Sequence, residues 1–419
     1  MRYFYPDSQD QVDPLFDFVT EEHPVHRIRQ RDDRYAHEVL ATRPFDGLLI
    51  SKSIVDGHRG VASGRYSTAS RQRFYREGAR RFFRLTGEHA DVLIMGDCGA
   101  FTYANEYEPP YSVGEVADFY VDSGLDWGVA PDHIVFGFVR VGDPTPDDMV
   151  EEWERRRKIT IENAGLFLDE VSRRTTTIVP VGVAHGWNAA TYADSVSQLQ
   201  DIGYQRIAMG GMVPLKSHDI VATLEIVAED LRPETDLHML GVTRTDEMKT
   251  FETLGVTSFD STSPFRQAFK DDKDNYYTLD TTYVAIKVPQ VDGNAALKRR
   301  IKSGVVDQRA AIEAERKCLA ALRTFDDGRN DIDSAIEAIS DYISITDSTE
   351  IRVDDYRRAL EGEPWRRCAC GVCAAAGIDI VLFRGSERNK RRGFHNLAVF
   401  RERIERNGFP SLRAPQKAP

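Results

Sequence analysis

Short apolar runs alternate with longer amphipathic stretches through the first two thirds of the chain. Apolar positions about 3.6 residues apart predict helices, and short uninterrupted apolar runs predict buried strands. The strands predicted in this way span 45–51, 91–96, 133–138, 177–183, 206–210, 237–242 and 256–260. The predicted helices span 148–172, 189–202, 217–231, 245–254, 294–325 and 332–344.

The alternation of strand and helix predicts a parallel sheet with crossover helices. About seven or eight such units are typical of an α/β protein with a (β/α)8 TIM barrel, in which functional side chains collect at the C-terminal ends of the strands. A doubly wound open sheet is the alternative. The sequence has neither of the glycine-rich phosphate-binding patterns that often mark that fold.

The composition of the 419-residue chain, with 41% hydrophobic and 29% charged residues, is typical of a soluble globular protein. No apolar run approaches the ~18 residues of a membrane helix, and the N-terminus lacks a signal-peptide pattern. We therefore expect a cytoplasmic protein without a membrane partner. The formal net charge of −12 argues against a histone-like nucleic-acid binder but not against a nucleic-acid enzyme.

Positive charge is concentrated in two islands. Residues 52–84 hold nine Arg or Lys against two acids, and residues 365–406 hold ten against four. Such islands are typical of a surface that follows phosphates, and the alternative is that these side chains lie on solvated helix faces or pair with nearby acids. The candidates for phosphate contact are Arg59, Arg65, Arg71, Arg266, Arg384, Arg388, Lys390, Arg391, Arg392 and the segment 298–302.

The five cysteines indicate a metal site rather than a disulfide framework. Their count is odd, and Cys368, Cys370 and Cys373 fall within six residues, with His395 following twenty-two residues later. Three thiolates and one imidazole complete a tetrahedral Zn2+ shell, and a shell without an open position is structural rather than catalytic. Gly371 gives the turn between the thiolates a permissive backbone. The alternative is three buried, reduced cysteines.

Near residue 290 the alternation of strand and helix patterns gives way to helices and then to a basic segment with three cysteines. This change predicts four parts. These are a barrel body with the catalytic site over 1–290, a helical insertion over 291–364, a zinc-binding subdomain over 365–408 and a flexible tail over 409–419.

The cysteine pattern followed by His395-Asn396-Leu397 resembles the zinc subdomain of the tRNA-guanine transglycosylases, a family of zinc-bearing (β/α)8 barrels. Further segments match the family's motifs in the same order along the chain. These segments are MGDCGAF (95–101), VAPDHI (129–134), AMGGM (208–212) and SFDSTSPFR (258–266).

The resemblance implies a role for each matched residue. Asp260 takes the position of the nucleophile, and Asp97 takes that of an acid that can move a proton between bases. The positions implied to contact the base are Asp132, Gly210, Gly211, Phe101, His185 and Leu240. Gly210 and Gly211 would offer backbone N–H groups to the carbonyl oxygen of the base, and Phe101 and Leu240 would sandwich its ring.

Each of these residues also has a purely structural interpretation. Asp260 can cap a helix, Asp97 can belong to an ordinary turn after a strand, and the two glycines can form a tight turn. Phe101 and Leu240 can be core residues, and His185 can be a satisfied histidine at a strand end.

The departures from the family pattern narrow the resemblance. Where the tRNA-acting members carry a Val-Gln-Gly segment, this chain has Val183-Ala184-His185-Gly186. After the glycine pair, bacterial tRNA enzymes place a Glu, whereas this chain has Met212-Val213. A long helical stretch also separates Asp260 from the cysteines. The combination looks most like the DNA-modifying branch called DpdA, which exchanges guanine in DNA for a 7-deazaguanine base, chiefly 7-cyano-7-deazaguanine (preQ0).

Exchange of a base with retention requires a double displacement through a covalent aspartyl-sugar intermediate, and the target nucleotide must be flipped or single-stranded. The resemblance thus implies DNA, a 7-deazaguanine base and a companion ATPase as partners. The alternatives are the same exchange on tRNA, a non-catalytic accessory subunit, and a zinc-dependent nucleic-acid-binding module. A zinc hydrolase is disfavoured because a four-ligand shell leaves no position for water.

Overall fold

The computed structural model describes residues 1–7, 9–57, 65–140, 142–144, 146–174, 176–270, 273–346 and 352–411. Eight parallel strands form a closed barrel, which confirms the predicted fold class. The strands are β1 Arg2–Pro6, β2 Gly47–Ser51, β3 Leu93–Asp97, β4 Trp127–Val129, β5 Val179–Ala184, β6 Arg206–Met209, β7 Asp236–Met239 and β8 Val256–Asp260. The barrel closes where β1 pairs with β8, with Phe4 opposite Asp260.

Two of the strands differ from the prediction. The strand β1 was not predicted, so Asp260 ends the eighth strand of the barrel, whereas 256–260 is the seventh of the predicted strands. The predicted strand over 133–138 is wrong, because the fourth strand is the short β4 and residues 133–138 form part of the loop after it. The apolar side chains of that loop have another use, since Val135 packs in a small cluster with Trp153 and Trp187.

Eight α-helices of the described residues lie between the barrel strands along the chain. They are α1 Ala36–Val39, α2 Lys52–Asp56, α3 Thr68–Phe82, α4 Val113–Ser123, α5 Asp147–Arg173, α6 Ala189–Ile202, α7 Ser217–Glu229 and α8 Met248–Thr253. Helices α5 to α8 begin and end close to the predicted positions, whereas α1 to α4 were not predicted. Side-chain caps fix several of the starts: Ser112 accepts a hydrogen bond from the Glu115 N–H, and Asn188 accepts one from the Thr191 N–H.

The interior of the barrel is filled by side chains rather than open. A buried apolar cluster takes one or two residues from each of β1 to β6: Phe4, Leu49, Met95, Trp127, Val129, Val181, Val183 and Ala208. Such a filled interior leaves the loops at the strand ends as the place for a site.

The chain divides into two compact units. The first consists of residues 1–9 and 45–262 together with the chain from 404 onward, and it contains the barrel. The second consists of residues 10–44 and 263–403. The helices that follow the barrel strands are α9 Ser263–Gln267, α10 Ala295–Lys302, α11 Gln308–Asp326, α12 Ile332–Thr346, α13 Val353–Gly362, α14 Val372–Ala376 and α15 Gly385–Arg406.

The second unit also contains short strands: β9 Tyr276–Tyr277 pairs with β10 Thr282–Tyr283, and β11 Ile286–Lys287 pairs with β12 Leu382–Phe383. One apolar core runs through this unit and joins Leu322 of α11, Ile339 of α12, Leu360 of α13 and Cys373 of the cysteine segment. The predicted boundaries at 290 and 364 therefore do not separate independent cores. Residues 412–419, most of the predicted tail, lie outside the described part of the chain.

Among the helices of the described residues, none combines the length and the apolar character that crossing a bilayer requires.

Candidate active site and metal centre

Asp260 is held at the carboxyl end of β8 by two donors to one of its oxygens. Its Oδ1 accepts the Gly241 N–H at 2.9 Å and lies 3.2 Å from Nε2 of His238. The residue is only 6% exposed, and Oδ2 has no hydrogen-bond partner among the described residues. The carboxylate is therefore oriented through one oxygen, which leaves the other available to a substrate.

His238 links this carboxylate to the neighbouring strand. The imidazole is buried in β7, and its Nδ1 lies 2.8 Å from Oγ of Ser258 while Nε2 faces Asp260. When Nε2 carries the hydrogen, the imidazole donates to Asp260 and accepts the Ser258 hydroxyl hydrogen at Nδ1. This Ser–His–Asp chain fixes the tautomer of the histidine and the rotamer of the carboxylate.

Asp97 ends β3 and lies close enough to two other carboxylates to feel their charge. Burial raises its pKa to about 7, the negative charges of Asp132 and Asp260 add to this effect, and hydrogen bonds from the Gly99 N–H and the Ser51 hydroxyl oppose it. Gly99 adopts φ +86°, and a Cβ there would lie 1.8 Å from Oγ of Ser53, so only glycine fits this turn. Asp97 is thus a carboxyl group that exchanges a proton near neutral pH.

Asp132 follows β4 and is enclosed by three polar side chains. Its Oδ2 lies 2.7 Å from Nε2 of His185, and its Oδ1 accepts the Cys98 thiol at 3.2 Å. Tyr103 donates its hydroxyl to the Cys98 sulfur at 2.9 Å, and the same hydroxyl lies 3.1 Å from the Asp132 carbonyl oxygen. Burial and the nearby charge of Asp132 raise the pKa of Cys98 well above its usual value, so Cys98 stays a thiol donor.

His185 lies between Asp132 and the glycine pair that follows β6. It is 1% exposed, and its Nδ1 has no partner among the described residues. A Cβ on Gly210 would lie 2.4 Å from Cε1 of His185, and Gly211 adopts φ +77°, so both positions require glycine. The orphan Nδ1 is a buried polar atom that needs a ligand or a water.

The structure corrects one expectation about the glycine pair. The Gly210 N–H donates to the Ala184 carbonyl at 3.0 Å, so this group is committed to the backbone between β5 and β6. It is therefore not a free donor for a base carbonyl, and the predicted role of Gly211 stays a prediction.

Phe101 and Leu240 differ in their surroundings. Phe101 is 62% exposed, which contradicts the alternative that it is a core residue, and its ring centroid lies 6.1 Å from that of Phe136. Leu240 is half-buried against the barrel core, so its packing agrees with the structural interpretation.

The predicted site residues of the barrel all follow strands at the same end. The closest grouping is Asp97, Cys98 and Asp132, whose polar atoms all lie within 4.8 Å of one another. His185 joins them through Asp132, and Asp260 joins them through its electrostatic effect on Asp97. The site therefore contains three carboxyl groups, each of which has different hydrogen-bond partners.

The predicted metal ligands also come together. The sulfur atoms of Cys368, Cys370 and Cys373 lie 3.3, 3.6 and 3.3 Å from Nδ1 of His395, and all four atoms lie within 4.8 Å of one another. Ligand distances of about 2.3 Å for sulfur and about 2.0 Å for nitrogen place neighbouring ligands of a tetrahedral ion about 3.5 Å apart. The four ligands can therefore hold one metal ion.

The surroundings of His395 favour the same conclusion. Its Nε2 donates to the Tyr277 carbonyl at 2.7 Å, which places the hydrogen there and leaves the Nδ1 lone pair facing the sulfurs. The Tyr276 ring stacks on the imidazole with centroids 4.0 Å apart. Gly371 adopts φ +92°, and a Cβ there would lie 2.8 Å from the Val39 carbonyl oxygen.

The predicted contact with phosphates is wrong for four arginines, because their side chains are buried and already bound to other groups of the protein. Arg388 binds Asp379 and Glu21, and Arg384 binds Glu21 and Glu315. Arg391 binds Glu387 and the Asp13 carbonyl. Arg392 is fully buried and donates to the carbonyls of Ile380, Leu382 and Ala268. These side chains stabilise the second unit.

The other candidates have different surroundings. Arg65 and Arg266 are exposed, Arg71 is half-buried with a long hydrogen bond to the Asp56 carbonyl, and Lys390 donates to the Gln11 carbonyl at 2.9 Å. Lys298, Arg299 and Lys302 are exposed on α10, whereas Arg300 donates to the Ile345 carbonyl. Arg59 lies outside the described residues.

Sequence reasoning missed three residues of the site: His238, Cys98 and Tyr103. A histidine inside an apolar strand and a cysteine outside the metal cluster carry no local signal. The burial of the arginines, in contrast, could have been predicted. Arg388, Arg392 and His395 recur at helical spacing, so they share one face of α15 with a metal ligand.

The chain combines a closed (β/α)8 barrel, a carboxylate cluster at the C-terminal ends of its strands and, in the second unit, four residues that can hold a metal ion. This combination defines a class of barrel enzymes, whose active sites lie at the C-terminal ends of the strands.

No family model matches the chain. The chain is 45% identical to a curated protein from Salmonella montevideo named DNA-guanine transglycosylase, over 423 aligned positions that cover 100% of this chain and 99% of that protein. The chain belongs to the guanine transglycosylase family.

Proposed function

We propose that this transglycosylase replaces guanine in DNA with 7-cyano-7-deazaguanine (preQ0) and that it does so through a covalent bond between Asp260 and the sugar. The observation that carries this proposal is the pairing of an oriented carboxylate, Asp260, with a second carboxyl group, Asp97, whose pKa is about 7. The name of the Salmonella relative supports DNA as the polymer.

Asp260 suits the nucleophile because its two oxygens have different tasks. The Gly241 N–H and His238 hold Oδ1, so that Oδ2 attacks the anomeric carbon as the bond to guanine breaks. The incoming base then attacks the same carbon, the aspartyl bond breaks, and Asp260 leaves as a carboxylate. Two displacements at one carbon retain its configuration.

Asp97 suits the proton carrier because burial and the charge of Asp132 raise its pKa to about 7, so that it can both give and take a proton near neutral pH. In the first displacement the protonated Asp97 gives its hydrogen to a ring nitrogen of the departing guanine. In the second it takes a hydrogen from the incoming base. The proton count balances over the cycle, and no further acid is needed.

Asp132 and His185 suit the recognition of the base. Their hydrogen bond fixes both side chains, and it leaves the buried Nδ1 of His185 available next to Gly211. A purine-like ring with adjacent donors and acceptors satisfies such groups, whereas a ring without them leaves buried polar atoms unpaired.

The metal in the second unit is, in this proposal, one structural Zn2+. Three cysteines and one histidine are ligands that zinc prefers, and the shell has no position for water. The ion fixes the turn between the three cysteines, and this chain's own residues in the barrel unit carry out the reaction.

The decisive experiment is base exchange with purified protein, radiolabelled guanine or preQ0, and either DNA or unmodified tRNA. We expect label in DNA and none with Asp260→Ala, which removes the nucleophile. Asp260→Asn keeps the shape and serves as the isosteric comparison, and denaturing gels reveal the covalent adduct. Label in tRNA alone would overturn the DNA assignment, and incorporation by Asp260→Ala would overturn the nucleophile.

We also propose that the exchange in cells needs a companion ATPase, as the family resemblance implies. The test is whether incorporation in cells needs a second gene product, measured by mass spectrometry of the nucleosides from DNA.

A further inference from the structure

Three aromatic side chains in the loops after β3 and β4 are far more exposed than aromatic residues usually are. Tyr107, Phe101 and Phe136 are 70%, 62% and 50% exposed, which makes them the three most exposed aromatic residues of the described chain. All three lie in the loops that follow β3 and β4, the same loops that begin with Asp97 and Asp132. Exposed apolar groups concentrated in one place indicate a binding surface.

The two loops are bound to each other. Nε2 of His133 lies 3.0 Å from the Glu106 carbonyl oxygen, and Arg156 donates to the carbonyls of both Ala104 and Ile134. The rings of Phe101 and Phe136 are neighbours, with centroids 6.1 Å apart and an angle of 54° between their planes. Phe101 and Phe136 therefore form one aromatic pair across the two joined loops, and Tyr107 lies on the same loop as Phe101.

The outward position of Phe136 is fixed by its neighbours in the chain. Val135 is buried against Trp153 and Trp187, and the Val139 N–H donates to the Trp187 carbonyl at 2.6 Å. A Cβ on Gly137 would lie 1.9 Å from the Trp153 ring, so the backbone at 137 lies directly on the indole. Anchors on both sides hold Phe136 in solvent.

Tyr107 is held in a similar way. The guanidinium of Arg155 lies 3.9 Å from the centre of its ring, and the same arginine donates to the Tyr107 carbonyl at 2.8 Å. The position of this exposed ring is therefore set by a cation–π contact and a backbone hydrogen bond together.

We propose that Phe136 and Tyr107 stack against unpaired nucleobases that flank the exchanged guanine, so that the enzyme takes a single-stranded or locally opened strand. This inference rests on the proposed function. Flat rings held on the loops that follow Asp97 and Asp132 suit the faces of bases, because stacking on an aromatic side chain tolerates any sequence. A flipped guanine also leaves its neighbours unstacked, and they need a partner.

The test measures the affinity of the full chain for a fluorescein-labelled 20-nucleotide single-stranded DNA of mixed sequence, by anisotropy. We expect Phe136→Ala and Tyr107→Ala each to weaken binding by roughly 5- to 100-fold. Phe136→Trp should keep the affinity and Phe136→Leu should lose it, because only the former retains a flat ring. Phe269→Ala, which removes another exposed aromatic ring, is the matched control.

A second measurement tests the unpaired state. Wild-type protein should bind the single strand and a duplex with an open bubble more tightly than a fully paired duplex, and Phe136→Ala should remove that preference. Equal affinity of wild type and both alanine variants for the single strand would overturn the inference. So would a Phe136→Leu protein that binds as tightly as wild type, since that result favours a general apolar contact such as a protein partner.

The failure of this inference is distinguishable from that of the proposed function. If wild-type protein exchanges bases in DNA and Phe136→Ala has an unchanged KM for DNA, only the stacking role is wrong. If wild-type protein exchanges no base in any DNA, the proposed function itself is wrong. Melting curves of each variant show whether the fold is kept.

Discussion

Nε2 of His238 lies 3.2 Å from Oδ1 of Asp260, while the other ring nitrogen lies 2.8 Å from the Ser258 hydroxyl. The imidazole therefore holds the carboxylate through Oδ1, and Oδ2 has no hydrogen-bond partner among the described residues. A hydrogen bond to a charged group contributes about 1.5–3 kcal/mol. In the proposed mechanism the carboxylate also leaves the sugar in the second displacement, and a donor to Oδ1 would stabilise the charge that develops there.

His238→Ala should lower kcat for base exchange by roughly 10- to 100-fold and change KM for DNA little, because the residue acts through Asp260 rather than on the polymer. His238→Gln, which can still donate an N–H, should recover part of the rate. The exposed His218 provides the control, since His218→Ala should leave kcat unchanged. An unaltered rate in His238→Ala would show that Gly241 alone orients the carboxylate.

Asp97 should make the protein less stable as the pH rises. Its pKa is about 7 in the folded chain against 3.8 as the ordinary value, so the folded state binds more protons between these two values. Stability contributed by this group is present below pH 3.8 and is lost as the pH rises through 7. Asp97→Asn removes this loss while keeping the shape of the side chain.

We therefore expect Asp97→Asn to be more stable than wild type at pH 8, by roughly 1–3 kcal/mol, and to have lost base exchange. Thermal unfolding between pH 5 and pH 8 measures the difference, which should narrow toward the acidic end. Asp126→Asn, at a carboxylate paired with Arg80, is the contrasting variant. If the gap between Asp97→Asn and wild type stayed constant across this range, Asp97 would not be the group that titrates.

Removal of the metal should destabilise the second unit. Cys370→Ser should reduce the bound zinc from about one to about zero per chain and lower the melting temperature, because structural zinc contributes directly to folding. Metal analysis and melting curves measure both effects. Cys318→Ala alters a buried cysteine of the same core that is not a ligand, and it should keep the metal. Retention of a full equivalent by Cys370→Ser would contradict the four-ligand site.

The buried arginines should affect stability rather than DNA binding. Arg392→Met removes a fully buried guanidinium that binds three backbone carbonyls, and we expect a loss of roughly 2–5 kcal/mol in the free energy of unfolding. The exposed Arg65 should behave in the opposite way. Arg65→Ala should leave the melting temperature unchanged and reduce the salt slope of DNA binding by about 1. A large salt-slope change in Arg392→Met at unchanged stability would restore its predicted role.

The sequence predicted the barrel elements from α5 to β8 because their crossover helices carry a strong periodic pattern, and it predicted none of the helices α1 to α4. It missed β1, a five-residue strand whose pairing with β8 is visible only when the barrel closes. It misplaced the fourth strand because the loop after β4 is apolar for a different reason, namely contact with Trp153 and Trp187.

The carboxylates and the metal ligands could be found because motifs fix them in the chain, whereas the partners of those carboxylates could not. Arg392 is buried and Arg65 is exposed, and a count of positive charges along the sequence does not distinguish the two. The hydrogen bonds of His238 depend on the register between β7 and β8, which no local pattern encodes.

The shared core of the second unit constrains how this chain can be cut or recombined. Side chains from α11, α12 and α13 pack in the same cluster as Cys373, so a protein shortened after residue 364 would expose the remaining members of that cluster to water. The helices and the cysteine segment must be inherited, or exchanged between relatives, as one block. A chimera that divides them should be recovered mainly as aggregate.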